Sequence, residues 1–266
     1  YWHQEDVSLN KDDSDSSYDS DGEKKWKFVE NTSEYVIYIF GKDENENTYS
    51  LKVESFTPYF YVKVPDCFKK QQLEGFERWI KNKLWKKNKN CLLRCTLHKK
   101  KKFRHFDKGK EYKYVRLVFK NVSSAKNGMS IFQNKEYNPM TKKTTRSEKA
   151  QIISFIYPRK FNYELSDSMI DPLLKFIHHR DISTVGWINI KGGKYNIDYD
   201  TKTTCTYNIR SRWNNIKPVL EDRDNSKIKI LGYDIECDSS HGDFPLAKKD
   251  YIKPAREIFQ IGRAHV

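Results

Sequence analysis

A run of branched and aromatic residues that ends in two carboxylates places the strongest constraint on the fold of this chain. Residues 228–233 read Ile-Lys-Ile-Leu-Gly-Tyr and follow a polar stretch, which predicts a β-strand. Asp234 and Glu236 come directly after this run. Because residues two apart in a strand point to the same face, their carboxylates are expected to lie side by side. The pattern predicts a rigid strand end with two neighbouring oxygen ligands.

Two neighbouring carboxylates suit a hard divalent cation. Mg²⁺ and Mn²⁺ prefer oxygen ligands, and a pair of such ions can activate water and stabilise the leaving oxygen in phosphodiester cleavage. The spacing by itself favours a different interpretation, a solvated strand end without function. An unpaired charge on a strand buried on both faces would be costly, so the apolar context of Asp234 and Glu236 favours a metal site.

Three segments resemble the family B DNA polymerases, in the order in which that family has them. Residues 231–262, LGYDIECDSSHGDFPLAKKDYIKPAREIFQIG, resemble its first exonuclease motif, a hydrophobic strand that ends in Asp, an apolar residue and Glu. Residues 55–62, SFTPYFYV, resemble a Pro-Tyr-Phe-Tyr-Val run of its amino-terminal domain. Residues 181–188, DISTVGWI, resemble the Gly-Trp segment that precedes the exonuclease. The segment SHGDFPLAKKDY is also similar to polymerases of large DNA viruses.

The resemblance implies a DNA-directed DNA polymerase with a 3′–5′ proofreading exonuclease. Asp234 and Glu236 match the family's catalytic metal ligands of the first motif. Asp234 is expected to bridge two Mg²⁺ or Mn²⁺ ions, and Glu236 to bind one of them and orient the attacking water. The family's remaining exonuclease and polymerase motifs lie farther along the polypeptide than residue 266, so this fragment is expected to be inactive alone. Two alternatives stay open: a non-catalytic nucleic-acid-binding module and a stand-alone ribonuclease H-like exonuclease.

The implied partners are primer–template and single-stranded DNA, with deoxynucleotides and a processivity factor for the full-length parent. The five cysteines are an odd number without a Cys-x-x-Cys pair, which indicates a reducing, intracellular setting. The nucleus or a viral replication site is expected. No apolar stretch approaches the roughly 20 residues needed to span a bilayer, so no membrane partner is expected.

Charge and motif positions predict four segments. Residues 1–25 are expected to be an acidic disordered segment, since eight of the 36 Asp and Glu residues but only one of the 50 Lys and Arg residues fall within residues 1–23. Residues 26–224 are expected to form the polymerase amino-terminal domain, and residues 225–260 a truncated start of the exonuclease domain. Residues 261–266 are expected to be a read-through artefact, because they can be back-translated into a common sequencing adaptor.

A cluster of cations in the middle of the chain suits a polyanionic partner. Lys99, Lys100, Lys101, Lys102 and Arg104 stand beside a phenylalanine and two histidines. Cationic side chains displace condensed counterions from nucleic acid, and aromatic rings among them can stack on bases. The cluster is therefore a candidate contact for DNA. The alternatives are a solvated hairpin tip, a nuclear import signal, and a lysine-rich composition that only reflects an AT-rich genome.

The predicted fold class is α+β. It comprises a two-layer amino-terminal domain of mixed strands and helices, followed by the first strands of a ribonuclease H-like exonuclease domain. Strands are predicted at residues 35–40 and 49–54, which form a hairpin that residues 59–64 extend, at residues 91–98 and 112–119, which form a second hairpin around the basic tip, and at residues 203–209. Helices are predicted within residues 67–87, 123–133 and 166–178.

Three smaller expectations accompany this outline. The polar residues 138–147 are expected to be a mobile loop. Leu173, Leu174, Phe176 and Ile177 are expected to face the core from the third helix. Trp187 is expected to lie on a strand as a core anchor.

Overall fold

A computed structural model describes residues 2–7, 17–18, 24–25, 31–102, 107–140 and 142–220 of the chain. The chain divides into two compact units, Tyr1–Ser226 and Lys227–Val266, and every described residue belongs to the first. This unit mixes strands with helices and is rich in strands. The mixture agrees with the predicted α+β class.

The strands, in chain order, are β1 (Trp2–Val7), β2 (Ser17–Tyr18), β3 (Lys24–Lys25), β4 (Glu34–Lys42), β5 (Thr48–Glu54), β6 (Tyr59–Lys63), β7 (Leu92–Lys101), β8 (Glu111–Phe119), β9 (Gln133–Asn138), β10 (Lys143–Glu148), β11 (Ala150–Ile153), β12 (Tyr157–Asn162), β13 (Leu165–Ser166), β14 (Ile188–Ile190), β15 (Asn196–Ile197), β16 (Tyr207–Arg212) and β17 (Ile216–Pro218). The α-helices are α1 (Leu73–Lys83), α2 (Val122–Ser130) and α3 (Pro172–Arg180). Short 3₁₀ helices cover Lys70–Gln72, Lys86–Cys91 and Trp213–Asn215.

The first sheet has the strand order β1-β4-β5-β16-β15. Strands β4 and β5 form the predicted antiparallel hairpin, and the Asp43 carboxylate holds its turn by accepting from the N–H groups of Asn45 at 2.9 Å and Asn47 at 2.8 Å. Strand β16 pairs with β5 in parallel. Strand β1 pairs with the open edge of β4, so Trp2–Val7 departs from the disorder expected for residues 1–25. Backbone pairing with a free edge does not require an apolar sequence.

The second sheet has the order β13-β6-β8-β7, with every neighbouring pair antiparallel. Along the chain its elements run β6, α1, β7, β8, α2 and β13, which is a split βαβ arrangement. The hairpins β9–β10 and β11–β12 are inserted between α2 and β13. The predicted hairpin around the basic cluster is present as β7–β8, although β7 continues to Lys101 rather than ending at His98.

The expectation that residues 59–64 extend the first hairpin is wrong, because β6 pairs with β8 and β13 in the second sheet. The chain leaves β5 through Ser55, whose φ of 65° is left-handed, and then passes Pro58, which has no N–H to continue a ladder. Four of the five β6 residues are buried, as in a central strand with both faces covered.

One core fills the space between the second sheet and the helices α1 and α2. Phe60 and Leu117 from the sheet meet Phe76 and Ile80 of α1 and Ala125 of α2, all of them buried. Within residues 67–87, the buried members of this core are Phe68, Phe76, Ile80 and Leu84. Gly128 of α2 faces the Phe119 ring so closely that a Cβ atom would overlap it.

A second core lies on the opposite face of the same sheet. Ile37 and Val53 of the first sheet meet Tyr59 and Val118 of the second, and Phe176 of α3 completes the cluster. Because neighbouring residues of β6 alternate between faces, Tyr59 enters this core while Phe60 enters the other. The second sheet is thus packed on both sides.

Several other expectations need correction. The expected loop at residues 138–147 contributes to the β9–β10 hairpin, whose backbone pairs despite the exposure of residues 144–148. The predicted strand at residues 203–209 is shifted to Tyr207–Arg212. Trp187 precedes β14 rather than lying in a strand, and its half-buried ring is not a fully buried anchor.

The third helix begins six residues later than predicted, at Pro172. The Asp171 side chain caps it by accepting from the N–H of Leu173 at 2.8 Å, and Pro172 suits the first turn because it needs no hydrogen-bond partner there. Leu174, expected to face the core, is 48% exposed, whereas Lys175 is buried in its place.

Candidate nucleic-acid interface

The metal ligands predicted from the sequence, Asp234 and Glu236, lie outside the described residues, as does Arg104 of the basic cluster. Among the residues that the structure does describe, no group of three or more His, Cys, Asp or Glu side chains is placed to hold a metal ion. The assignment of Mg²⁺ or Mn²⁺ to the two carboxylates therefore stays a prediction.

Strand alternation divides the basic cluster between two faces. Lys99 pairs with Lys113, Lys100 with Tyr112 and Lys101 with Glu111 across the β7–β8 ladder. Lys100 therefore lies on the face opposite to Lys99 and Lys101. These three lysines are exposed side chains of a paired strand and not a hairpin tip.

The face that carries Lys100 is rich in tyrosine. Strand β6 contributes Tyr59 and Tyr61, and β8 contributes Tyr112 and Tyr114, in each case two positions apart. Tyr59, Tyr61 and Tyr114 are buried, whereas Tyr112 is half-buried at the end of the sheet. The aromatic surface accessible to a ligand is therefore concentrated at the Tyr112 end.

Lys100 lies over one of these rings. Its Nζ atom is 3.7 Å from the Tyr61 ring centroid, within the range of a cation–π interaction. His98 meets the same ring edge-on, with centroids 5.7 Å apart. Burial, together with the nearby Arg116 and Lys100 cations, lowers the pKa of His98. The histidine consequently favours its neutral form, and Lys100 carries the positive charge at this position.

A second group of cations surrounds Tyr112. Lys63, Lys102 and Lys110 place their Nζ atoms 4.7, 5.2 and 5.2 Å from its ring centroid. Glu164 joins two of them, with ion pairs of 3.0 Å to Lys63 and 2.6 Å to Lys102. The group thus presents three ammonium ions around one ring. The Glu164 carboxylate pairs with two of these ions, and the Asp107 carboxylate accepts from the Tyr112 hydroxyl.

Glu164 and Lys102 stabilise each other's charged form. Burial opposes its ionisation, but hydrogen bonds from Lys102 and Lys63 outweigh burial and lower its pKa. The hydrogen bond to Glu164 raises the pKa of Lys102 in turn. Glu164 and Lys102 are therefore both charged at neutral pH, and Glu164 offsets part of the positive charge near Tyr112.

The other half of the tyrosine face is covered by α3. The Tyr59 hydroxyl and His179 Nε2 are 2.6 Å apart, and the Lys175 ammonium donates to the Tyr59 carbonyl. Arg116 lies 3.8 Å from the Tyr59 ring centroid. Tyr59 is therefore engaged within the protein and is not available to stack on a ligand.

The surface left open is the basic-aromatic patch, which we define as Lys63, Lys100, Lys102, Lys110 and Tyr112. It combines ammonium ions that can neutralise phosphates with one half-buried ring that can stack on a base. Lys63, Lys110 and Tyr112 were not predicted as site residues. The signal that identifies Lys63 and Tyr112 is strand alternation, since both lie two positions from a tyrosine in a predicted strand.

Comparison of the sequence with known families gives a match over residues 163–258 to the family model "DNA polymerase family B, exonuclease domain". This match begins upstream of residue 225, where the exonuclease domain is predicted to start. The DNA polymerase of Acanthamoeba polyphaga mimivirus is 31% identical over 88% of this chain and 13% of its own length. The DNA polymerase of Pyramimonas orientalis virus is 32% identical over 87% of this chain and 18% of its own length.

A cellular relative is also similar. The DNA polymerase delta catalytic subunit of Schizosaccharomyces pombe is 23% identical over 85% of this chain and 20% of its own length. The chain thus spans less than a quarter of the length of these relatives. The resemblance inferred from the three sequence segments is confirmed by these matches.

Among solved structures, the family B DNA polymerase of the archaeon Pyrobaculum calidifontis matches 67% of this chain and 18% of its own chain, with a TM-score of 0.44 and 11% identity.

None of the helices in the described part of the chain has the length and apolar character that crossing a bilayer demands.

Proposed function

We propose that this chain, as a relative of the family B DNA polymerases, is part of a DNA-directed DNA polymerase that proofreads with a 3′–5′ exonuclease. The observation that carries the proposal is the match of residues 163–258 to the exonuclease domain of that family. Viral DNA polymerases that are similar over 87% to 88% of the chain support it.

In this proposal, Asp234 and Glu236 are the catalytic carboxylates of the exonuclease that this sequence supplies. They would hold Mg²⁺ or Mn²⁺, which activates the attacking water and stabilises the leaving oxygen. Residues 26–224 form a two-layer amino-terminal domain and residues 225–260 begin a ribonuclease H-like exonuclease domain. We expect the chain to be inactive alone, because it spans less than a quarter of the length of its polymerase relatives.

The basic-aromatic patch contacts DNA in this proposal. Its ammonium ions suit the phosphates of a single strand, and the half-buried Tyr112 ring suits one base. Primer–template DNA, deoxynucleotides and a processivity factor are partners of the full-length polymerase. In this proposal the full-length polymerase acts in the nucleus or at a viral replication site.

The test is made in the full-length polymerase. Asp234→Ala combined with Glu236→Ala is expected to abolish metal-dependent excision of a mismatched primer end and to leave primer extension largely intact. Asp66→Ala combined with Glu74→Ala removes two exposed carboxylates outside residues 231–262, and this matched control is expected to keep both activities. Undiminished excision by the double variant would show that the two carboxylates are not the metal ligands.

A second candidate function is a non-catalytic nucleic-acid-binding module. The basic-aromatic patch favours it, since such a surface binds DNA without any catalytic carboxylate. The outcome expected for this alternative is salt-sensitive binding of single-stranded DNA that does not depend on Asp234 and Glu236, without metal-dependent excision.

A further inference from the structure

A polar cleft of about 530 Å³ lies beside the β15–β16 hairpin of the first sheet. Its lining includes Glu54, Lys194, Asn196, Arg210, Arg212 and Asn215. The cleft shares no residue with the basic-aromatic patch, which belongs to the second sheet.

Strand geometry places both arginines of the cleft on one face. Arg210 and Arg212 are two positions apart in β16, and they pair with Lys52 and Glu54 of β5 in the parallel ladder. Val53, between those two partners, is buried in the second core, so the arginines lie on the opposite face of the sheet. They therefore project beside each other, away from the core.

Backbone contacts bring Lys194 to the same cleft. The buried Ser211, which separates the two arginines, donates its hydroxyl to the Lys194 carbonyl at 2.6 Å. Asn215 donates its side-chain amide to the same carbonyl at 3.3 Å. Gly193 precedes Lys194 with a φ of 74°, which allows the tight turn. The lysine backbone is therefore fixed to the strand that carries the arginines.

The three cations have no counterion within the described part of the chain. The side chains of Lys194, Arg210 and Arg212 make no hydrogen bond or ion pair with any other described residue. By contrast, Arg180 donates to the Ile216 carbonyl at 2.7 Å, and Glu164 satisfies Lys63 and Lys102. Glu54 contributes one carboxylate to the cleft, so positive charge is in excess there.

We propose that this cleft binds a phosphate group. Guanidinium groups donate paired hydrogen bonds that match phosphate oxygens, and the excess positive charge of the cleft favours an anion. The cleft is wider than one phosphate, and the amides of Asn196 and Asn215 can hydrogen-bond to a sugar attached to it. The inference rests on the proposed function for one point, that the phosphate is part of a DNA strand.

The test uses the 266-residue chain and a labelled oligothymidylate. Arg210→Gln combined with Arg212→Gln is expected to weaken binding and to lower the slope of log Kd against log salt, measured by anisotropy. The slope should fall by about 0.7 for each phosphate that the variant no longer neutralises. Lys89→Gln combined with Lys126→Gln removes the same charge from two exposed positions elsewhere and is expected to leave the slope nearly unchanged.

An equal decrease in both double variants would overturn the site, because it would show that only the total charge matters. An unchanged slope for Arg210→Gln combined with Arg212→Gln would overturn the site as well. If the glutamine variant melts below the wild-type protein, Arg210→Lys combined with Arg212→Lys is measured instead. That variant keeps the charge, and it is expected to keep the slope while it weakens binding, because lysine cannot donate the paired hydrogen bonds.

A second arm distinguishes a DNA strand from free phosphate. Titration with inorganic pyrophosphate, followed by calorimetry, is expected to give much weaker binding than the oligonucleotide. Suppose that pyrophosphate binding depends on the arginines while oligonucleotide affinity does not. This result would show that the cleft binds free phosphate and would overturn a DNA strand as its ligand. Primer excision does not enter either arm, so failure here is separable from failure of the proposed exonuclease.

Discussion

The Lys100 ammonium lies 3.7 Å from the centroid of the Tyr61 ring. Tyr61 is buried, and its ring belongs to the second core. The exposed Lys100 ammonium therefore packs against a core side chain. The contact positions Lys100 on the tyrosine-bearing face of the sheet. It makes that face, rather than the lysine run as a whole, the candidate for contact with nucleic acid.

The two faces of β7 are expected to contribute unequally to DNA binding. Lys100→Gln combined with Lys102→Gln should lower the salt slope of single-stranded DNA binding by up to about 1.4, or about 0.7 for each phosphate contact. Lys99→Gln combined with Lys101→Gln removes the same charge from neighbouring positions and should have a smaller effect. Anisotropy over a salt series measures both slopes, and equal slopes for the two variants would contradict the assignment of the patch.

Glu164→Gln is expected to strengthen DNA binding. The substitution removes the carboxylate that offsets Lys63 and Lys102, so the patch gains net positive charge. Folding stability should fall by no more than about 1 kcal/mol, because both ion pairs are partly exposed to solvent. Glu111→Gln, which removes a negative charge from an exposed position on the same hairpin, is the control. Equal gains in affinity for the two variants would indicate a general charge effect.

Gly128→Ala is expected to lower the free energy of unfolding by about 1–3 kcal/mol. A Cβ atom at this position would overlap the buried Phe119 ring, and overpacking of this kind outweighs the better helix propensity of alanine. Gly41→Ala is the matched control, since no heavy atom lies within 4 Å of its Cβ position. Urea unfolding measures both variants, and an unchanged midpoint for Gly128→Ala would show that α2 can shift away from the ring.

Lys175 is expected to make folding stability rise between about pH 8 and pH 10. Burial lowers the pKa of Lys175 to about 8, although Asp167 and Asp171 oppose this effect. The unfolded chain, whose lysine has its ordinary pKa near 10.5, therefore binds more protons in this window, and stability increases with pH. Tyr59, whose burial raises its pKa to about 12, has the opposite effect above pH 10.

Lys175→Met tests this dependence because it keeps the length of the buried stem. Comparison of urea unfolding at pH 7.5 and pH 9.5 should show that the wild-type protein gains about 1–2 kcal/mol relative to the variant. The same pH dependence in both proteins would show that Lys175 is not responsible for it.

Local sequence patterns predicted a large part of the secondary structure. The β4–β5 and β7–β8 hairpins and the helices α1 and α2 follow from alternation, helical spacing and turn residues. The β9–β10 hairpin was missed because its exposed polar strands leave no periodic apolar pattern. The start of α3 was misplaced because Ser166 and Asp171 are both suitable caps by residue type, and β13 pairs Ser166 with Tyr61 instead.

The sequence by itself determined many of the local elements and the resemblance to the family B polymerases. Tertiary structure alone decided that β6 joins the second sheet, that β16 lies parallel to β5, and that Lys175 is buried in place of Leu174. It also decided which lysines share a face with Tyr112 and that Arg210, Arg212 and Lys194 line one cleft. The reason is that period and propensity depend on neighbours in the chain, whereas strand partners and burial depend on which distant edges and faces are available after the chain reverses direction.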